Sequence, residues 1–211
     1  MDTALTSLAA FAAAAALLTV TPGPDNALML RTAAAEGPRP AFAAALGISL
    51  GCLGWAGLTA LGLSALLAAS EAAYTVLKWA GAAYLFWLGG RLLLQPRQSF
   101  DPGEAGRPGH SGAGGSFLRG LMTNLLNPKV GVFYVSFLPQ FIPDGAPVAG
   151  WTALLGLVHA LVGMAWFICL IAATRPLTQA LRRAAVVRWL DRLTGGVFLA
   201  FGLRLALESR R

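Results

Sequence analysis

Thr21-Pro22-Gly23-Pro24-Asp25-Asn26 interrupts an otherwise apolar segment, with AAFAAAAALLTV before it and ALML after it. Proline has no N–H to give and its ring clashes with the preceding turn, so a helix entering this stretch must break there. The flanks have the composition of one membrane-spanning helix, which places the break inside the apolar layer rather than between two spans. Backbone groups released in hydrocarbon cost several kcal/mol each by the usual estimate, so such a break survives only where it faces protein or a wet cavity.

The rest of the chain fits a membrane setting. Of its 211 residues, 56% are hydrophobic and 12% charged, and the mean hydropathy is +0.65, more apolar material than one soluble core of this size needs. A net charge of +7 could suggest nucleic acid, but the arginines fall in short clusters between apolar runs, which fits membrane topology and argues against a nucleic-acid partner. Cys52 and Cys169 lie in apolar runs with no metal-ligand or redox spacing, and His110 and His159 stand far apart, so no metal site, cofactor or enzymatic centre is expected. The N-terminal run has no basic segment ahead of it and reads as a retained first span, not a signal peptide.

Apolar runs near 4–30, 41–67, 72–94, 117–140, 148–173 and 189–207 predict six transmembrane helices. The last is short and carries Asp191 and Arg192 near its beginning, and residues 176–188 read as a surface helix leading into it. Residues 96–116, rich in Gly, Pro and Ser, read as a flexible linker that divides the chain into 1–95 and 117–211. Arg31, Arg39, Arg91, Arg97, Arg107, Arg119, Arg175, Arg182, Arg183, Arg188 and Arg192 fall on one side of this layout, and Lys78, Arg204, Arg210 and Arg211 on the other. Eleven against four places the first group in the cytoplasm and both termini outside.

Residues 77–94 align over 190–207, with Gly89 and Arg91 in register with Gly202 and Arg204. An all-α integral membrane protein of two inverted three-helix repeats follows, a common plan among secondary transporters. The first helix of the second half then contains LLNPKV, Leu125 to Val130, as the counterpart of the first break. Pro22, Pro24 and Pro128 should free the carbonyls of Leu18, Val20 and Asn124. Asn127 reads as an N-cap ahead of Pro128, and Thr21 or Asp25 could cap the first break. A helix N-terminus at mid-depth suits a carboxylate, and the freed carbonyls suit an ammonium group, so together they describe a receptor for a zwitterion. Asp25 and Lys129 are opposite charges at equivalent positions, expected to face each other or a shared cavity. The candidate substrate- and ion-binding residues are Thr21, Pro22, Gly23, Pro24, Asp25, Asn26, Asn124, Asn127, Pro128 and Lys129.

Gly47, Gly51 and Gly54, with Ala43 a turn earlier, form a small-residue face suited to close helix packing, where the second span could touch a broken one. His159 reads first as a hydrogen-bonded core residue and second as a proton relay. Of Tyr134, Asn124 and Gln140 around the second break, Asn124 is the best cavity-lining residue. Trp55, Trp87 and Trp166 read as core or interfacial packing.

At these residues the chain resembles the lysine exporter superfamily, specifically the LysE/RhtB-type amino-acid exporters. The matching text is TPGPDNALMLRTAAAEGPRPAFAAALGISLG at 21–51 and FLRGLMTNLLNPKVGVFYVSFLPQF at 117–141, and the resemblance covers nearly the whole chain. It implies a multi-pass carrier of the bacterial inner membrane that exports amino acids or close derivatives by proton-driven antiport, with the two proline breaks as its motif centres. Asp25 is the one deep acidic residue, so the expected substrate is a neutral amino acid, with protons and the lipid bilayer as the other partners and homo-oligomerisation left open. Two alternatives are a transmembrane thiol-disulfide electron carrier, which resembles a related branch and needs two thiols beside the breaks, whereas Cys52 and Cys169 are expected on spans two and five, away from Pro22 and Pro128, and a non-transporting scaffold or receptor.

Overall fold

The computed structural model describes residues 2–69, 71–96, 112–173 and 183–207, and every regular element among them is helical. Helix α1, Asp2–Val20, is built almost entirely of alanine and leucine, which form helices at little entropic cost. It ends where the prolines require: Thr21 still donates its N–H to Leu17 O at 3.0 Å, Gly23 is extended, and helix α2, Pro24–Ala35, restarts with proline at its first position. The two axes meet at 58°.

Helix α2 stops at Gly37, whose φ of +92° is a left-handed conformation that only glycine adopts cheaply, and the amides of Glu36 and Gly37 both return to Thr32 O. Helices α3, Pro38–Ala69, and α4, Glu71–Leu94, follow. Helix α5, Ala113–Leu125, ends at the second break, and α6, Pro128–Val132, is a short piece prolonged by a π-helical turn at Phe133–Phe137 and a 3-10 turn at Leu138–Phe141. Helix α7, Val148–Ala172, and α8, Ala184–Leu207, complete the order.

Among the described residues, two stretches are long and apolar enough to cross a membrane unbroken, Pro38–Gly62 with mean hydropathy 1.7 and Val148–Ala172 with 2.3, and the bent α1–α2 pair qualifies as a third. Helix α7 presents Leu154, Leu157, Leu161 and Ile168 outward while burying Leu155, Phe167 and Leu170. A helix apolar all round with half its leucines exposed is stable only where the outside is also apolar.

The expected boundaries shift in three places. Residues 97–111 of the linker lie outside the described residues, while Ala113–Ser116 already form the first turn of α5. Residues 176–182 of the expected surface helix also lie outside them, and Ala184–Arg188 belong to α8 without interruption. Asp191 is fully buried inside that helix, whereas Arg192 is exposed.

Helix α3 lies against α5 on one side and α7 on the other, and α4 against α8. Gly47 and Gly120 make the first contact possible: a methyl group on either would strike the backbone carbonyl of Phe117 or Ala44. The small face of α3 thus packs on a broken helix, and the backbone of Ala44 takes part in the contact. Two apolar clusters result, an aromatic one around Phe11, Phe133, Phe137 and Phe141 and a smaller-residue one around Met29, Ala44, Ile48 and Phe167.

Candidate functional site

Both breaks open into a single cavity where the two clusters meet. Its walls include Thr19, Thr21, Gly23, Asp25 and Asn26 from the first break, and Asn124, Asn127 and Lys129 from the second. Measured as space open to the centre of a water molecule, it holds about 30 Å³. The cavity is narrow in this conformation.

Of the ten expected site residues, seven line the cavity; Pro22, Pro24 and Pro128 do not, and act by shaping the backbone around it. Asn127 caps α6 as expected, its side chain accepting from Lys129 N at 3.1 Å. At the first break the expected cap is overturned. Gly23 occupies the N-cap position with no side-chain hydrogen bond. Thr21 turns its hydroxyl back to Leu17 O at 2.6 Å and meets the Thr194 hydroxyl at 2.6 Å, while Asp25 accepts at Oδ2 from Asn124 Nδ2 at 2.9 Å.

Of the three carbonyls expected to be released, those of Leu18 and Asn124 are not left for a ligand either. Lys129 Nζ donates to Leu18 O at 2.6 Å and to Thr21 O at 2.9 Å. Asn26 Nδ2 donates to Thr19 O at 2.9 Å and Thr21 O at 3.1 Å, and Trp55 Nε1 reaches Asn124 O at 3.4 Å. Desolvated carbonyls cost more than the hydrogen bonds that satisfy them gain, so the chain's own donors take them first. Lys129 and Asp25 share the cavity, as their equivalent positions suggested.

Both tryptophans expected only to pack therefore also donate. Trp55 on α3 serves the second break, and Trp166 on α7 serves the first through Asn26 Oδ1 at 2.9 Å. Trp87 instead lies on an exposed face beneath Arg91, 5.6 Å from its guanidinium carbon. His159 is a hydrogen-bonded core residue, its Nδ1 3.1 Å from the Tyr134 hydroxyl, and it also lines the cavity. Gln140 bonds Ser136 O in the turns after α6 and does not line the cavity.

Sequence reasoning missed several wall residues: Thr19, Ile48, Ser49, Ala160, Gly163 and Phe167. Ser49 carried a signal, a hydroxyl in the apolar run of α3 two residues before Gly51. It also misplaced one thiol. Cys52 was expected to lie away from the breaks, but it lines the cavity and receives an N–H from Asn124 at 3.6 Å. Cys169 is exposed on α7, so the two thiols face different surroundings and both are free.

Among the described residues, Thr19 Oγ1, Asp25 Oδ1, Ser49 Oγ and Asn124 Oδ1 are buried polar atoms with no hydrogen-bond partner, and all four belong to residues lining this cavity. Each can accept a hydrogen bond. Such atoms are rare in folded proteins because each costs about 1–3 kcal/mol, and their gathering around one space marks a site for a donor.

The family model for the LysE type translocator matches residues 16–209. This chain belongs to the LysE type translocator family. It is 31% identical over 196 residues to the threonine efflux protein of Escherichia coli, covering 90% of this chain and 92% of that one. It is 30% identical over 194 residues to the leucine efflux protein of Klebsiella pneumoniae, covering 91% of each. An uncharacterised membrane protein of Bacillus subtilis is 28% identical over 209 residues, covering 96% of this chain and 99% of that one. No solved structure matches it. This translocator is thus a membrane protein whose proline breaks, read first as a puzzle of local structure, bound its central cavity.

Proposed function

We propose that this translocator exports neutral amino acids from the cytoplasm across the bacterial inner membrane by proton-coupled alternating access, as a carrier and not an enzyme. The observation that carries the reading is the set of four buried acceptor atoms without partners around a cavity at two helix breaks. Asp25 Oδ1 takes the substrate ammonium or a proton, with the Thr19 and Ser49 hydroxyls as further acceptors. The α2 N-terminus, which no side chain caps, and the Lys129 ammonium beside Gly23 face the substrate carboxylate. Asp25 holds the ammonium or the proton but not both, which couples export to proton entry. Because it is the one carboxylate on the cavity wall, a second cationic group has no counter-ion there. The names of the threonine and leucine efflux relatives agree with a neutral substrate.

Admission of substrate requires the narrow cavity to widen, and rocking of two inverted three-helix halves, 1–95 and 117–211, joined by the 96–116 linker, provides that motion. Supporting this plan, α3 packs on α7 and α4 on α8, each on its counterpart. Gly89 approaches Gly195 O, and Gly202 approaches Ala82 O; Gly89 and Gly202, like Ala82 and Gly195, are 113 positions apart. The exchange of indoles, each half capping the other's break, follows the same symmetry. Both termini lie outside in this arrangement.

Uptake of labelled neutral and dibasic amino acids into proteoliposomes, with and without an imposed pH gradient, tests the proposal. Gradient-dependent flux of neutral amino acids is expected. Flux confined to dibasic substrates, or none for any amino acid, would overturn it.

A further inference from the structure

Gly163 is a buried glycine with room to spare. At Gly47, Gly51, Gly120, Gly156 and Gly195 an added Cβ would collide with a neighbour, so close packing explains the glycine. At Gly163 the same atom meets only Phe167 Cε2, at 3.8 Å, an ordinary contact. The glycines where an added Cβ would meet no atom within 4 Å, such as Gly57 and Gly196, are exposed or half-buried, but Gly163 is buried and lines the cavity. A glycine inside a helix is less stable than alanine there, and helix packing gives this one no reason to persist. The space it leaves open is the cavity itself.

We infer that Gly163 sets the size of the substrate side chain, which lies over it against Ala160, Phe167 and Ile48. This deepens the proposed function and rests on it. The unpartnered acceptors of the cavity come from Thr19 and Asp25 at the first break, Ser49 on α3 and Asn124 on α5, while α7 contributes the apolar Ala160, Gly163 and Phe167 beside His159, whose Nδ1 is turned to the Tyr134 hydroxyl. The ammonium and carboxylate are therefore held at the breaks and the side chain points toward α7. In so narrow a cavity one methyl group is a large fraction of the available room, and a single methylene is worth about tenfold or more in discrimination.

The test is a series, Gly163→Ala, Gly163→Val and Gly163→Leu, in the full-length protein, assayed for flux of alanine, threonine and leucine in proteoliposomes. The ratio of leucine to alanine kcat/KM should fall by about tenfold at Gly163→Val, chiefly through KM. Gly163→Ala should melt no lower than the parent, whereas Gly156→Ala, which drives a methyl into Ala56, should melt lower. Flux that persists with an unchanged ratio overturns the inference, as does destabilisation of Gly163→Ala to the level of Gly156→Ala. If the parent moves no amino acid the proposed function fails, and the cavity role is then read by labelling Cys52 in a Cys169→Ala background with small and bulky thiol reagents. Gly163→Leu should slow the bulky reagent selectively; equal rates for both reagents would overturn the inference by this route as well.

Discussion

Asp25 and Lys129 are both ionisable groups at helix breaks, yet their surroundings give them different work. Asp25 keeps one carboxylate oxygen on Asn124 and the other without a partner, so its charge is available to a ligand. Asp25→Asn preserves the shape and should leave the melting temperature within a few degrees of the parent while reducing gradient-driven flux to background. Retention of flux with its pH dependence intact would remove Asp25 from the coupling step. Lys129 binds two main-chain carbonyls at the first break, those of Leu18 and Thr21. Lys129→Met removes the donor to Leu18 O, while Thr21 O keeps the Asn26 amide, and should destabilise the fold by about 1–3 kcal/mol, read by denaturant titration in detergent. A loss of transport with unchanged stability would show that its role is confined to the ligand.

The helices hold these groups in place by backbone approach as much as by side-chain contact. Gly47 and Gly120 bring α3 and α5 close enough that Gly51 comes against the Asn124 amide, where an added Cβ would lie 2.5 Å from Oδ1. Gly51→Ala should therefore displace Asn124, break its bond to Asp25 and weaken transport, with a stability loss of about 1–3 kcal/mol. Preserved transport kinetics would show that α3 and α5 can part without cost to the site. The indole clamps act at the same scale. Trp166→Phe deletes the donor to Asn26 and keeps most of the ring, so about 1 kcal/mol of stability should go; a thermal-shift series with Trp55→Phe measures both.

Across the whole molecule, the ends of the two broken helices are tied together. Arg119 Nη2 on α5 donates to Glu36 Oε1 and Oε2 at the end of α2, at 2.8 and 2.9 Å, and to Ser116 Oγ at 2.9 Å. The Glu36 side chain is 9% exposed and that of Arg119 29%, so solvent screens the pair only in part. Glu36→Gln should cost about 1 kcal/mol and increase thiol labelling of Cys52 in a Cys169→Ala background, because the tie between α2 and α5 has been weakened. An unchanged labelling rate would mean that the pair is not part of what keeps the cavity narrow.

The sequence by itself determined where the backbone must break, because proline's missing N–H and fixed ring act within a turn and need no neighbour. It likewise determined the Asn127 cap, the placing of Asp25 and Lys129 on one cavity, and the glycine face of α3. It could not say which side of each helix looks inward. In a soluble helix an apolar stripe marks the core, but here lipid and core are equally apolar and the periodic signal vanishes. Thr19, Ser49 and Gly163 became wall residues, Cys52 moved beside the break and the indoles found their carbonyls only once the helices were packed. Which donors satisfy the freed carbonyls, and which acceptors stay open for a ligand, depend on contacts between residues as much as 69 to 111 positions apart, and those only the tertiary structure decided.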